Sequence, residues 1–234
     1  EAPGDPLEKC MDLGVASNKR PFLIIDMGDN PGGGGSGEVT WTLARVLKRP
    51  EFKTPEGKSL LYCSIPGSEM VEAARKAGIG GQAEAFVGAM TDNSYEAPVR
   101  LSGTVIYVSP DHEKDQQSES LSPPNRRLPD IAIIKTGSIF VVVGTSSPTP
   151  NLEGTGIDPE KMDIIMVKQG YLVSRWYDMK ADWVMALTRG SVDQDFKSLP
   201  YKRVLRPIFP LDPDMPDPEL NVIMVPSSKH MYGR

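Results

Sequence analysis

Histidine is almost missing from this sequence: among 234 residues there are two, His112 and His230. Catalytic and structural zinc sites draw on His and Cys, with carboxylates as supplements. A chain so short of imidazole is not expected to assemble a hydrolytic zinc centre unaided, so no metal ligand is assigned within it. Cysteine is equally sparse, with Cys10 and Cys63 alone and no CxxC pair. That argues against a disulfide framework or a redox motif and reads as two free thiols in a reducing compartment. No apolar run approaches the roughly 18 residues of a membrane span, and the N-terminus lacks the charged-then-apolar pattern of a signal peptide. A cytoplasmic location is therefore expected. The net charge of −5 offers no basic surface for nucleic acid or an anionic membrane. The chain opens on Glu1 rather than Met, as a fragment or processed piece of a longer protein would.

What is present has α/β logic. Phe22-Leu23-Ile24-Ile25 is a short apolar run bounded by turn signals, as in a buried strand. Val39 to Leu47 has helical spacing, with Val39, Leu43, Val46 and Leu47 on one face. Leu60 to Ile65 reads as a second strand. Ser68 to Ala77 reads as a helix closed by Gly78, and residues 5–17 as a short helix. Strand, loop, helix, strand, helix predicts parallel pairing. Ala83 to Met90, Val99 to Val108, Ile131 to Lys135 and Ile139 to Val143 then read as strands, the last two joined by a hairpin turn at Lys135-Thr136-Gly137-Ser138. Asp163 to Lys168 restores the α/β pattern as a strand, followed by a helix over Ser174 to Asp182 and a strand over Val184 to Leu187. The fold class expected is α/β, a mixed sheet with parallel βαβ parts and an inserted antiparallel β region. Residues 1–234 read as one domain, with a lead-in over 1–19, a polar mobile excursion over 109–130 and a Pro-rich tail over 213–234. Trp176, Tyr177 and Trp183 read as core or domain-contact residues. Leu199 to Asp212 alternates basic and apolar residues, like an edge strand with its charges outward.

The sharpest motif is Asp26-Met27-Gly28-Asp29-Asn30-Pro31-Gly32-Gly33-Gly34-Gly35-Ser36-Gly37-Glu38, between a strand and a helix. Glycines let backbone approach a ligand closely, and ligands of open α/β sheets gather outside the carboxyl ends of strands. Amides near Glu38 and Val39 would form an anion site, with Ser36 as helix cap. Equally, the run can be a tight strand-to-helix turn. It lacks the Lys-Ser/Thr of a P-loop and the spacing of a dinucleotide fingerprint. Asp26, Asp29 and Glu38 are a conceivable carboxylate cluster for a hard cation. Lys168 and Tyr171, at the exit of a late strand, could point into a cleft. No G-x-S-x-G elbow appears in a strand-to-helix setting.

Taken with their order and spacing, four segments resemble the C-terminal domain of the microcystinase C-like zinc metallopeptidases. They are the Asp-Asn-Pro-Gly-Gly-Gly loop (from Asp29), Lys168-Gln169-Gly170-Tyr171-Leu172, the run Ala186 to Asp195, and Leu199-Pro200-Tyr201-Lys202-Arg203 with Arg206 to Asp212. The likeness spans roughly residues 20 to 215. Where many members carry Lys-Ser-x-x-His-Phe-Arg, this chain has Lys168 to Ser174 without the His and Arg. The resemblance implies a hydrolase in two domains: an N-terminal one, in the same or a companion chain, that holds zinc, and this one, which covers the site and shapes the cleft for a peptide-like or amide substrate. Zinc would polarise the carbonyl and activate water. This chain would be inactive alone. Asp29 and Asn30 would carry the catalytic contribution, with Gly32, Gly33, Gly34, Lys168 and Tyr171 binding substrate. The alternative is a non-catalytic binding or scaffold module whose glycine loop holds a small anion or a partner chain.

Overall fold

The computed structural model describes residues 4–110, 130–146, 151–217 and 219. His112, His230 and most of the expected excursion and tail fall outside these residues. The chain divides into two compact units, residues 2–195 and the segment from Phe196 onward.

The first unit is built on a nine-stranded mixed sheet. Its strands are β1 (Asp5–Pro6), β2 (Phe22–Asp26), β3 (Leu60–Pro66), β4 (Gln82–Val87), β5 (Val99–Val108), β6 (Ile131–Thr136), β7 (Ile139–Gly144), β8 (Ile164–Lys168) and β9 (Asp182–Leu187). The helices are α1 (Leu7–Ala16), α2 (Trp41–Val46), α3 (Ser68–Ala77) and α4 (Ser174–Met179). The spatial order is β1-β9-β2-β8-β3-β7-β6-β5-β4. Pairing is parallel from β1 through β7 and antiparallel from β7 through β4. The mixed α/β architecture legible in the sequence is the one observed.

Burial on both faces explains the continuous apolar runs. In β2, Phe22 and Ile24 enter one core cluster while Leu23 and Ile25 enter the other. β8 divides in the same way, Ile164 and Met166 against Ile165 and Val167. A parallel strand covered on both sides has no polar face to alternate with, and each such side chain contributes roughly 1.5–3 kcal/mol. The antiparallel edge behaves differently. β4 exposes Gln82, Glu84 and Phe86 and buries Ala83 and Val87, so one face meets water.

Helix α3 turns Met70, Val71 and Ala74 inward, and its chain is stopped at Gly78, where φ is 71°. A positive φ there suits glycine and ends the helix as expected. Helix α2 is shorter than expected: Val39 is buried but precedes it. Helix α4 ends at Met179, because Asp182 to Ala186 pair with Phe22 to Asp26 and begin β9. Of the three aromatics read as core or domain-contact residues, Trp176 is fully buried, whereas Tyr177 and Trp183 are exposed by 56% and 38%.

In the second unit, Leu199 to Asp212 forms turns and bends and no strand. Pro200, Pro207 and Pro210 remove the amides that a ladder needs. Asp212 closes the turn instead, accepting from Arg206 Nε at 2.6 Å and Ile208 N at 2.8 Å.

Candidate functional site

β2, β8 and β3 are adjacent in the sheet, and a pocket of about 210 Å³ opens at their carboxyl ends. Asn30, Pro31 and Gly32 from the glycine loop form one wall, Cys63 and Ser64 of β3 another, and Val167 to Tyr171 with Val173 the floor and rim. This is the place where open α/β sheets receive ligands. The sequence-derived candidates Asn30, Gly32, Lys168 and Tyr171 are thus brought together, with Tyr171 71% exposed on the rim. Gly33 and Gly34 belong to the loop's outer turn and do not line the pocket.

The loop is held from beneath by a buried ion pair. Asp29 is 1% exposed and Lys168 7%. Lys168 Nζ donates to Asp29 Oδ2 at 2.8 Å, Gly37 O at 2.8 Å and Val39 O at 2.9 Å. An ammonium has three donors, and all are engaged. Asp29 in turn accepts from Gly37 N at 2.9 Å, Val39 N at 2.8 Å and the Ser36 hydroxyl at 3.4 Å. Asp29, expected to meet substrate, therefore lies under the loop, where its carboxylate fills the amide site that the sequence offered to an external anion.

The amides of Gly32 to Gly35 are also satisfied internally. Asn30 Oδ1 accepts from Gly32 N at 2.9 Å, and Asn30 O accepts from Gly33 N at 3.0 Å and Gly35 N at 2.9 Å. Ser36 is not a helix cap; α2 begins after Thr40, and Ser36 Oγ accepts from Glu38 N at 3.3 Å. Glu38 points elsewhere, accepting from Met90 N, Thr91 N and Asp92 N at 2.9–3.1 Å. Asp26, Asp29 and Glu38 consequently do not form a joint cation cradle, and among the described residues no trio of His, Cys, Asp or Glu is placed to hold a metal ion.

The loop's root packs without room to spare. A Cβ on Gly28 would lie 2.1 Å from Thr188 O, and one on Gly190 2.0 Å from Gly28 O. Thr188 bridges Gly28 N, at 2.8 Å, and the Asp26 carboxylate. Burial pushes the Asp26 carboxyl above its ordinary value, with Lys168 and the Thr188 hydroxyl pulling the other way. Burial likewise pushes the Cys63 thiol up to about 12, so it is a packed thiol and not a nucleophile at neutral pH.

Gln169 was overlooked at the sequence level, although it sits in the run that contains Lys168 and Tyr171. Its Oε1 is buried and has no hydrogen-bond partner. Ser64 and Cys63 were also missed. They come from a strand some hundred residues distant, and only the pairing of β3 with β8 brings them in.

The sequence matches the family described as MlrC C-terminus over residues 24–203. No curated protein matches it. Among solved structures, a crystal structure of a candidate metallopeptidase from Mesorhizobium sp. BNC1 is similar in fold, with a TM-score of 0.62 at 18% identity. The likeness covers 88% of this chain but 41% of that one, so the chain spans about two fifths of the neighbour's length.

Proposed function

Because this chain belongs to the MlrC C-terminus family, we propose that it is the cleft-forming domain of a zinc-dependent amide or peptide hydrolase whose metal ligands lie in a separate N-terminal domain. One observation carries this reading: the pocket at the ends of β2, β8 and β3 has amide, hydroxyl and apolar walls but no group of metal-ligating side chains among the described residues. Such a surface can hold and orient substrate, while zinc supplied by the other domain would polarise the carbonyl and activate water. Asn30 and Tyr171 are the side chains of this domain that reach the substrate. Gly32 lets the chain pass close to it, and Asp29 and Lys168 hold the loop that presents Asn30 and Gly32.

The rival reading, a module whose glycine loop binds a small anion, has less support. The loop amides at 32–35, 37 and 39 already have partners within the chain. The test joins this domain to a metal-binding domain and compares zinc content and peptide hydrolysis with those of the 234-residue chain alone. Zinc retention and turnover are expected only in the joined protein, with Asn30→Ala lowering turnover at unchanged zinc. Stoichiometric zinc and hydrolysis by this chain alone would overturn the proposal.

A further inference from the structure

Three glycines crowd around the side chain of Asn30. A Cβ on Gly170 would lie 2.9 Å from Asn30 Nδ2, one on Gly33 3.2 Å from the same atom, and one on Gly32 3.2 Å from Asn30 Oδ1. None of the three has the positive φ that favours glycine. Backbone conformation therefore does not call for glycine at these positions, whereas close approach does. Apart from Asn30, the nearest atoms that such a Cβ would meet are Gln194 Nε2 for Gly170 and Val192 Cγ1 for Gly33, each at 3.7 Å. Those are ordinary contacts, so the Asn30 carboxamide is the group for which the space is kept.

The carboxamide is also oriented. Asn30 Oδ1 accepts from Gly32 N at 2.9 Å, which assigns its oxygen and nitrogen ends. Nδ2 has no acceptor among the described residues, and Asn30, Gly32 and Gly170 all line the pocket. Gly32 and Gly33 are close to Asn30 through the loop's own turn. Gly170 arrives from a distant part of the chain. Asp26 is paired with Lys168 across β2 and β8, and Gln169 N donates to Asp26 O at 3.1 Å, so the chain leaving β8 is laid beside the glycine loop. A methyl group at 170 would press on the far end of a side chain and not on backbone. The carboxamide would give way, and the fold would not.

We infer that Gly170 is a positioning residue: with Gly32 and Gly33 it forms the seat that holds the Asn30 carboxamide with Nδ2 as the donor offered to a carbonyl oxygen of the substrate. The donor's role rests on the proposed function, whereas the seat rests on the contacts themselves, and the experiment reads each separately. Crystal structures of the 234-residue chain and of its Gly170→Ala variant test the seat. The parent should show the carboxamide bonded to Gly32 N, and the variant should show it turned out, with that bond lost and the main chain unchanged. Should Gly170→Ala fail to fold, Gly33→Ala presses on the same atom and should displace it likewise. A carboxamide that stays bonded to Gly32 N in the variant would overturn the inference. Kinetics of the protein joined to its metal-binding domain test the role. Gly170→Ala should lower kcat/KM at least about tenfold, the effect of misplacing a group by a fraction of an ångström to one ångström, with zinc content and melting temperature unchanged. Asn30→Ala should fall in the same range, and the double variant should lie within about twofold of the worse single, because both changes remove one interaction. Multiplying losses would show that Gly170 acts apart from Asn30 and would overturn the inference. Full turnover in Asn30→Ala, or no hydrolysis by the joined parent, would count against the proposed function, and the crystal structures would still decide the seat.

Discussion

Replacing Lys168 by Met removes the positive half of a buried ion pair and strands three acceptors, Asp29 Oδ2, Gly37 O and Val39 O. Breaking a buried pair on one side costs about 3–5 kcal/mol, because the surviving charge stays desolvated. Here the surviving Asp29 keeps bonds from Gly37 N, Val39 N and the Ser36 hydroxyl, each worth about 1.5–3 kcal/mol to a charged acceptor. The expected cost therefore lies at the low end, about 3 kcal/mol. Asp29→Asn puts an NH2 group against one of the two loop amides and should cost a similar amount. The double variant has no net charge to bury, so its cost should fall short of the sum of the singles by at least about 1 kcal/mol. Urea unfolding of the three variants and the parent, followed by fluorescence of the fully buried Trp176, measures the cycle. Native stabilities of about 5–15 kcal/mol leave the singles folded. Additive costs below about 1 kcal/mol each, the range of an exposed pair, would refute the claim that this pair holds the loop.

Asp26→Asn tests the second buried carboxyl. An acid whose folded value is raised binds protons more tightly when folded than when unfolded, so its contribution to stability declines as pH rises from the ordinary carboxylate range of about 4 through the folded value. The variant should be more stable than the parent at neutral pH and show a flatter stability profile above about pH 4; a loss of stability at neutral pH would contradict the account. The thiols give a further check. With the Cys63 thiol pushed up to about 12, about one part in 10⁴ of it is thiolate at pH 8, and Cys10, at about 11, is also buried. A thiol-disulfide reagent should count neither promptly in the native chain and both after unfolding; prompt reaction of Cys63 would mean that its pocket wall opens.

The elements were legible where local pattern and tertiary setting agree. Ser68 to Ala77 with Gly78 carries its own apolar face and its own stop signal, and the helix appears with those bounds. The apolar runs of β2, β3 and β8 announced burial on two sides, but not the order in which strands from distant parts of the chain would meet. That order, β2-β8-β3, creates the pocket, so Ser64 and Cys63 carried no sequence signal as its wall. The same limit applies to Asp29. In sequence it is an acid in a glycine-rich loop after a strand, equally suited to meeting a ligand or to anchoring the loop. Lys168, which decides between them, is 139 residues away. Leu199 to Asp212 misled for a local reason, since its alternation is strand-like while its prolines cannot serve a ladder.

Metal analysis of the purified 234-residue chain, with a peptide-hydrolysis assay on the same sample, puts the division of labour at its most exposed. A domain that shapes the cleft and leaves the metal to another should retain well under one zinc per chain after dialysis and release no product, then gain both when its metal-binding counterpart is supplied. One tightly held zinc per chain and turnover by the isolated protein would contradict that account.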